Sequence, residues 1–358
     1  MRYLPLLLTA IACSGAGNGP GPGLGPAPCP TTFVNPLGPG ADPWVAQRDG
    51  WYYLVQSRDR SIYVYKSQKL TDLKRNEVRV WSAPNTGWNG ENIWAPEIQY
   101  IDGRWYIYYA AGPSGPTQDN EFINQRSFVL RAVGDDPQGA YEDKGMLYTG
   151  DDLAGGTDNK WAIDLTVGRI RGELYAAWSG WEQNNSVTHR VPQHLYIARM
   201  SDPMTISSNR VKISSPVESW EDGTELDLQE GPEFLEGPGQ QLFIVYSTRE
   251  SWLPAYKLGQ LRLASPDADP LSAASWIKSG PVFTGTETIH GVGHAGFAKS
   301  PDGTEDWILY HSKTTTTPGW GDRVIRLQKF GWNADGSPNF GVPVPAGQPV
   351  VVPSGECR

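Results

Sequence analysis

Ala41-Asp42-Pro43-Trp44-Val45 sets an acid at the head of an apolar strand, and similar openings recur along the chain. They are Trp94-Ala95-Pro96-Glu97-Ile98, Ala162-Ile163-Asp164-Leu165-Thr166-Val167, Glu230-Gly231-Pro232-Glu233-Phe234 and Gly293-His294-Ala295-Gly296-Phe297. Counted from Asp42 through Ala95, Asp164 and Glu230 to His294, the intervals are 53, 69, 66 and 64 residues. A period of that size suits a four-stranded sheet with variable loops, repeated about an axis as a propeller blade. Three openings carry an acid, Asp42, Asp164 and Glu230, so radial symmetry predicts that carboxylates distant in sequence meet at the axis.

The same order of elements follows each opening. In the first unit the Asp49-Gly50 turn leads to Trp51-Tyr52-Tyr53-Leu54-Val55, then Ile62-Tyr63-Val64-Tyr65 and Val78-Arg79-Val80-Trp81. The second unit repeats this through Asp102-Gly103 and Trp105-Tyr106-Ile107-Tyr108-Tyr109, and the fifth is expected to end in a strand near Phe340 to Val344. Aromatic and β-branched runs between Gly and Asp turns mark short antiparallel strands. One hairpin turn is a common signal, but five copies of one four-strand order predict an all-β, five-bladed β-propeller forming a single domain. A β-sandwich joined to a second β domain would need a linker in mid-chain, and none shows.

Gly and Pro, at 41 and 30 of 358 residues, punctuate the chain too often for long helices. With 15 Trp and 16 Tyr there is ample material for a core. The net charge of −9 and the lack of a Lys/Arg run argue against nucleic acid or an anionic membrane as partner, and favour a neutral ligand such as a polysaccharide. Residues 1–16, with Arg2 ahead of an apolar run from Leu4, read as a cleaved secretory signal, which implies secretion. Lipid attachment through Cys13 is the alternative. Residues 17–28 form a Gly/Pro-rich spacer, and the propeller domain is expected over 29–358. Cys29 and Cys357 stand at its two ends, where an oxidising compartment would let them staple the ring; closing so long a loop contributes roughly 4 to 5 kcal/mol in the chain-entropy model.

Taken together, the five openings resemble glycoside hydrolase family 43, and the likeness covers essentially the whole chain after the leader. The resemblance implies an inverting enzyme acting on arabinose-, xylose- or galactose-containing polysaccharides. It implies Asp42 as general base, Glu230 as general acid and Asp164 as the residue that orients and tunes the acid. It also implies a histidine, here His294, helping to hold an axial metal, commonly calcium, largely through water. The closing stretch, from His311-Ser312-Lys313 through Arg323 to Phe330 and on to Pro338-Asn339-Phe340-Gly341, looks most like the arabinofuranosidase members. A β-xylosidase, an endo-arabinanase, a galactan-acting enzyme and a non-catalytic sugar-binding propeller remain alternatives. No organic cofactor is implied, and the chain is expected to be a monomer.

Those roles agree with the chemistry. Glycosidic hydrolysis needs one protonated carboxyl at the leaving oxygen and one ionised carboxylate, about 6.5 to 9.5 Å apart when a water must fit between. Each acid has a plainer reading too: Asp42 as a turn residue before proline, Asp164 as the buried partner of an arginine. Strand alternation puts Glu230 and Glu233 on opposite faces, and the resemblance selects Glu230. Glu97 is expected to be structural. Trp44, Trp94 and Trp181 are candidates to stack on sugar, and Arg323 or Arg326 to bind a carboxylate or hydroxyl. His290 and His311 carry weaker claims, and His189 and His194 read as loop residues.

Overall fold

The structure, a computed structural model, describes residues 29–115 and 121–357. The readings of 1–16 as a leader and 17–28 as a spacer lie outside the described residues. The body is a five-bladed β-propeller.

Blade I comprises Trp44–Arg48, Trp51–Arg58, Ser61–Ser67 and Val78–Ser82, ordered as a meander from the axis outward. Blade II has Glu91–Ile101, Arg104–Gly112, Arg126–Ala132 and Tyr141–Met146. Blade III has Ala162–Ile170, Glu173–Gly180 and His194–Asp202, with Thr205–Ile206 and Val211–Ser214 both pairing with the third strand. Blade IV has Gln229–Glu236, Leu242–Thr248, Lys257–Leu263 and Trp276–Phe283. Blade V has His290–Lys299, Asp306–Lys313 and Arg323–Trp332.

The outer edge of blade V is shared between two short strands. Pro338–Asn339, just ahead of the expected segment near Phe340, pairs with Gly331 and Trp332, while Gly38–Pro39, from the start of the domain, pairs with Val324 and Ile325. Two residues suffice because their task is to close the ring, and the last blade borrows its edge from the first part of the chain. Thr32–Val34 pairs with Pro349–Val351 in a further two-stranded sheet, and Cys29 and Cys357 are both disulfide-bonded.

The first hairpins of blades I, II and III turn on two residues each, Asp49-Gly50, Asp102-Gly103 and Arg171-Gly172, all with positive φ. That pair of left-handed residues defines the turn whose twist matches the flanking strands. An apolar cluster then fills each seam between neighbouring blades. Examples are Tyr53, Val55, Ile98 and Trp105 between I and II, and Val45, Leu54, Trp307 and Leu309 between V and I. Each fully buried large side chain there contributes about 1.5–3 kcal/mol, and the blades hold one another because no sheet covers both faces alone.

Candidate active site

The innermost strands begin with a device that the apolar pattern does not reveal. Asp42, Ala95, Asp164, Gly231 and His294, one per blade, all take left-handed backbone, with φ between 40° and 54°. In blades II to V the register against the second strand slips by one residue at this point, which marks a β-bulge. A bulge re-aims the side chains around it. Non-glycine residues in this conformation are uncommon and costly, and such outliers cluster at functional sites. Gly231 meets a second demand, because a Cβ on it would lie 3.1 Å from the His294 ring.

The bulge also corrects the expected facing of the acids in blade IV. Glu230 pairs with Ser247 and Glu233 with Val245, so three residues on one strand span two on the other. Glu230 and Glu233 therefore share a face, in two successive layers. Glu233 hydrogen-bonds Thr166 and lies beside Glu97, sealed from solvent. Glu230 opens on a cavity.

That cavity has a volume of about 280 Å³ and is lined by Asp42, Asp164 and Glu230 together, with Trp94, His294 and Arg323. Its remaining wall includes Asn92, Ala95, Phe122, Trp161, Ile163, His189, Gln193, Ser251, Trp252 and Trp320. Asp42 Oδ1 accepts a hydrogen bond from Arg323 Nη1 at 3.0 Å and lies 3.4 Å from His294 Nδ1 and 3.2 Å from His311 Nδ1. Burial works to raise the Asp42 carboxyl, but Arg323 and His294 outweigh it and hold the group well below the usual carboxylate range.

Glu230 lives in the opposite setting. Tyr256 Oη donates to its Oε1 at 2.8 Å, yet burial, reinforced by the charge on Asp42, pushes its carboxyl up to about 7. Asp164 is also pushed up to about 7, first by burial, against the pull of His294 and with the help of the charges on Glu230 and Asp42. Its Oδ2 accepts the backbone N–H of Gly231 at 2.9 Å. Asp164 is thus tied to the residue that follows Glu230, on the same bulge. The cavity carries one carboxylate that stays ionised and two carboxyls that hold protons near neutral pH, which equips it for general base and general acid work.

Several candidates lie elsewhere. Trp181 is fully buried and stacks on Trp161 at 4.5 Å, so Trp161 forms the wall and Trp181 backs it. Trp44 donates from Nε1 to Ile98 O at 2.7 Å in the seam between blades I and II, away from the cavity lining. Arg326 is buried and donates to Val344 O, because alternation along Arg323–Trp332 turns it away from the side that Arg323 occupies. Of the two arginines, only Arg323 reaches the cavity.

Other residues of the site carried a weak signal in the sequence, as His311 did, or none. Tyr256 comes from the lead-in to the third strand of blade IV, and His311 from the second strand of blade V. His189 does sit in a loop, but that loop brings it to the mouth of the cavity. Phe122 approaches Trp94, His189 and Trp320 at ring distances of 4.9, 5.5 and 6.3 Å, and Trp252 meets Trp320 at 5.3 Å. These rings come from blades II, III, IV and V and form an aromatic collar. Among the described residues no group of three or more His, Cys, Asp or Glu side chains is arranged to hold a metal ion, so the residues around His294 do not form a protein cage for calcium.

With this geometry in hand, comparison with known proteins assigns the lineage. The model of the glycosyl hydrolases family 43 matches residues 33–338. The chain belongs to that family. One relative, named extracellular exo-α-(1→5)-L-arabinofuranosidase, from Streptomyces avermitilis, is 37% identical over 335 residues, covering 88% of this chain and 64% of its own length. A protein of the same name from Streptomyces chartreusis is 32% identical, covering 86% of this chain and 90% of its own. The crystal structure of an α-L-arabinofuranosidase from Lactobacillus brevis superposes with a TM-score of 0.78 at 30% identity, covering 88% of this chain and 98% of that one. The chain thus spans less than two thirds of the S. avermitilis protein.

Proposed function

We propose that this chain is an inverting, exo-acting α-L-arabinofuranosidase that releases terminal arabinofuranosyl residues from arabinan or arabinoxylan of the plant cell wall. The observation that carries this is the meeting of Asp42, Asp164 and Glu230, from three blades, in one cavity with opposite charge settings. The arabinofuranosidase names of the relatives supply the sugar.

In this reading Asp42 Oδ accepts a proton from water as the water oxygen bonds to the anomeric carbon. The glycosidic C–O bond breaks, and the Glu230 carboxyl delivers its proton to the leaving oxygen. Attack from the side opposite the leaving group inverts the anomeric centre, and exchange with solvent returns both carboxyls to their starting states. Arg323 and His294 hold Asp42 ionised. Asp164 fixes the bulge on which Glu230 rides and, through mutual repulsion, helps keep the acid protonated. The aromatic collar narrows the mouth to a pocket, which favours removal of a chain end over internal cleavage.

A calcium ion near His294 would rely on water for most of its six to eight oxygen ligands, and no step above passes through it. We further propose secretion and action as a monomer. The test is to incubate the protein with aryl arabinofuranosides, xylosides and galactosides and with linear and branched arabinan, following the released sugar by NMR. Arabinose appearing first as the inverted anomer is expected. Retention, or turnover of xylosides alone, would overturn the reading, and activity unchanged by a chelator would remove calcium from it.

A further inference from the structure

The proposed base and acid are linked behind the cavity by two stacked rings. His311 is fully buried; Asp42 N–H donates to its Nδ1 at 3.2 Å, and the same nitrogen lies 3.2 Å from Asp42 Oδ1. Its ring lies 5.3 Å from that of Tyr256 with the planes 4° apart. Tyr256, equally buried, places its hydroxyl on Glu230 Oε1 at 2.8 Å. Gly293 makes room for this ring, since a Cβ there would come within 2.2 Å of it.

Packing alone does not explain the pair. Two apolar rings would fill the same space, yet each ring turns a polar atom to a different carboxyl-bearing residue of the site. The chain of contacts runs Asp42, His311, Tyr256, Glu230 and crosses from blade I through V to IV. We propose that His311 and Tyr256 are positioning residues, a stacked brace that sets the gap between the Asp42 and Glu230 carboxyls. In an inverting hydrolysis that gap must admit both sugar and water, and an error of about 1 Å costs on the order of 100-fold in rate. The consequence for turnover rests on the arabinofuranosidase reading; the geometric role does not.

Four variants separate the parts of the brace. Tyr256→Phe keeps the stack and removes the hydroxyl, and His311→Phe keeps the stack and removes the acceptor. His311→Asn keeps an acceptor near the Nδ1 position without the full ring, and the fourth variant joins both Phe changes. Each Phe variant is expected to lower kcat about 10- to 100-fold with KM within about twofold. His311→Asn should recover part of the loss, and the double variant should lose less than the product of the singles. Crystal structures of the wild type and of His311→Phe, or of Tyr256→Phe should the former not fold, are expected to differ in the separation between the two carboxyls. Unchanged kcat in both Phe variants, or an unchanged separation, would overturn the brace. Should the wild type cleave no arabinofuranoside, the functional reading falls, while the measured separation still decides the brace.

Discussion

Two groups of buried acids lie one layer apart at the axis of this propeller. The upper layer holds Asp42, Asp164 and Glu230, and the lower holds Glu97 and Glu233. All five have lost much or all of their contact with water, so burial alone raises every one of them. What separates the layers is company. Arg323 and His294 hold Asp42 ionised within reach of a cavity. Glu97 and Glu233 are hydrogen-bonded to each other, to Thr166 and to Gln99, feel Asp164 as a further acid and meet no cation among these partners, and their mutual hydrogen bond requires a shared proton. A carboxyl at a propeller axis therefore becomes reactive through a nearby cation and an open face, and is inert without them.

The sharpest break between the layers comes from neutralising one member of each. Glu230→Gln and Asp42→Asn are each expected to lower kcat by about 10³- to 10⁴-fold, with the melting temperature close to that of the wild type, measured on an aryl arabinofuranoside. Turnover within tenfold of the wild type in either variant would dissolve the distinction. Asp164→Asn comes next. It removes a carboxyl that ionises over the same range as Glu230 and repels it once ionised, together with the acceptor of the Gly231 N–H, so a loss of about 10- to 100-fold is expected. Activity of the wild type needs Glu230 protonated, and it should fall as pH rises through about 7. In Asp164→Asn that alkaline limb should move to lower pH, because the acid then ionises more easily. A limb that stays in place would show that burial and Asp42 alone set the acid.

The layers were unequally legible in the sequence. Asp42, Asp164 and Glu230 stand at the head of a repeated strand opening, and repetition at a blade-sized period is a signal that survives without coordinates. The bulge is not such a signal, since one added residue leaves the local apolar pattern intact, and simple alternation turned Glu233 to the wrong face. Tyr256 was illegible, and His311 carried only a weaker claim, for a different reason. They lie away from the repeated openings, and which carboxyl each meets depends on how blade V closes against blades I and IV. That closure uses Gly38–Pro39, a segment too short to read as a strand. The collar residues Phe122, His189, Trp252 and Trp320 lie on loops that follow no period. Trp44, Trp181 and Arg326 show the converse: a suitable residue type near a strand opening goes to the core when its neighbours in the seam claim it.

The lower layer yields the smallest expected change in activity and a clear change in stability. Glu97, from an ordinary value near 4.5, is pushed up to about 8, chiefly by burial, and Glu233 is raised for the same reason and by the charge of Glu97. A carboxyl raised in the folded state contributes stability that is fully present below its unfolded value. That stability is lost as pH rises through the folded value. Between about pH 4.5 and 8 the protein should therefore lose stability at up to about 1.4 kcal/mol per pH unit from such a group. Glu97→Gln keeps a hydrogen-bonding side chain of the same shape without a proton to lose. It should flatten the decline in melting temperature over this window while leaving kcat within about threefold of the wild type. Denaturation curves at pH 5, 6.5 and 8 for the wild type and Glu97→Gln measure this directly. Parallel slopes would mean that the pair is ionised in the folded protein, and burial would then not be what sets the sealed layer apart from the open one.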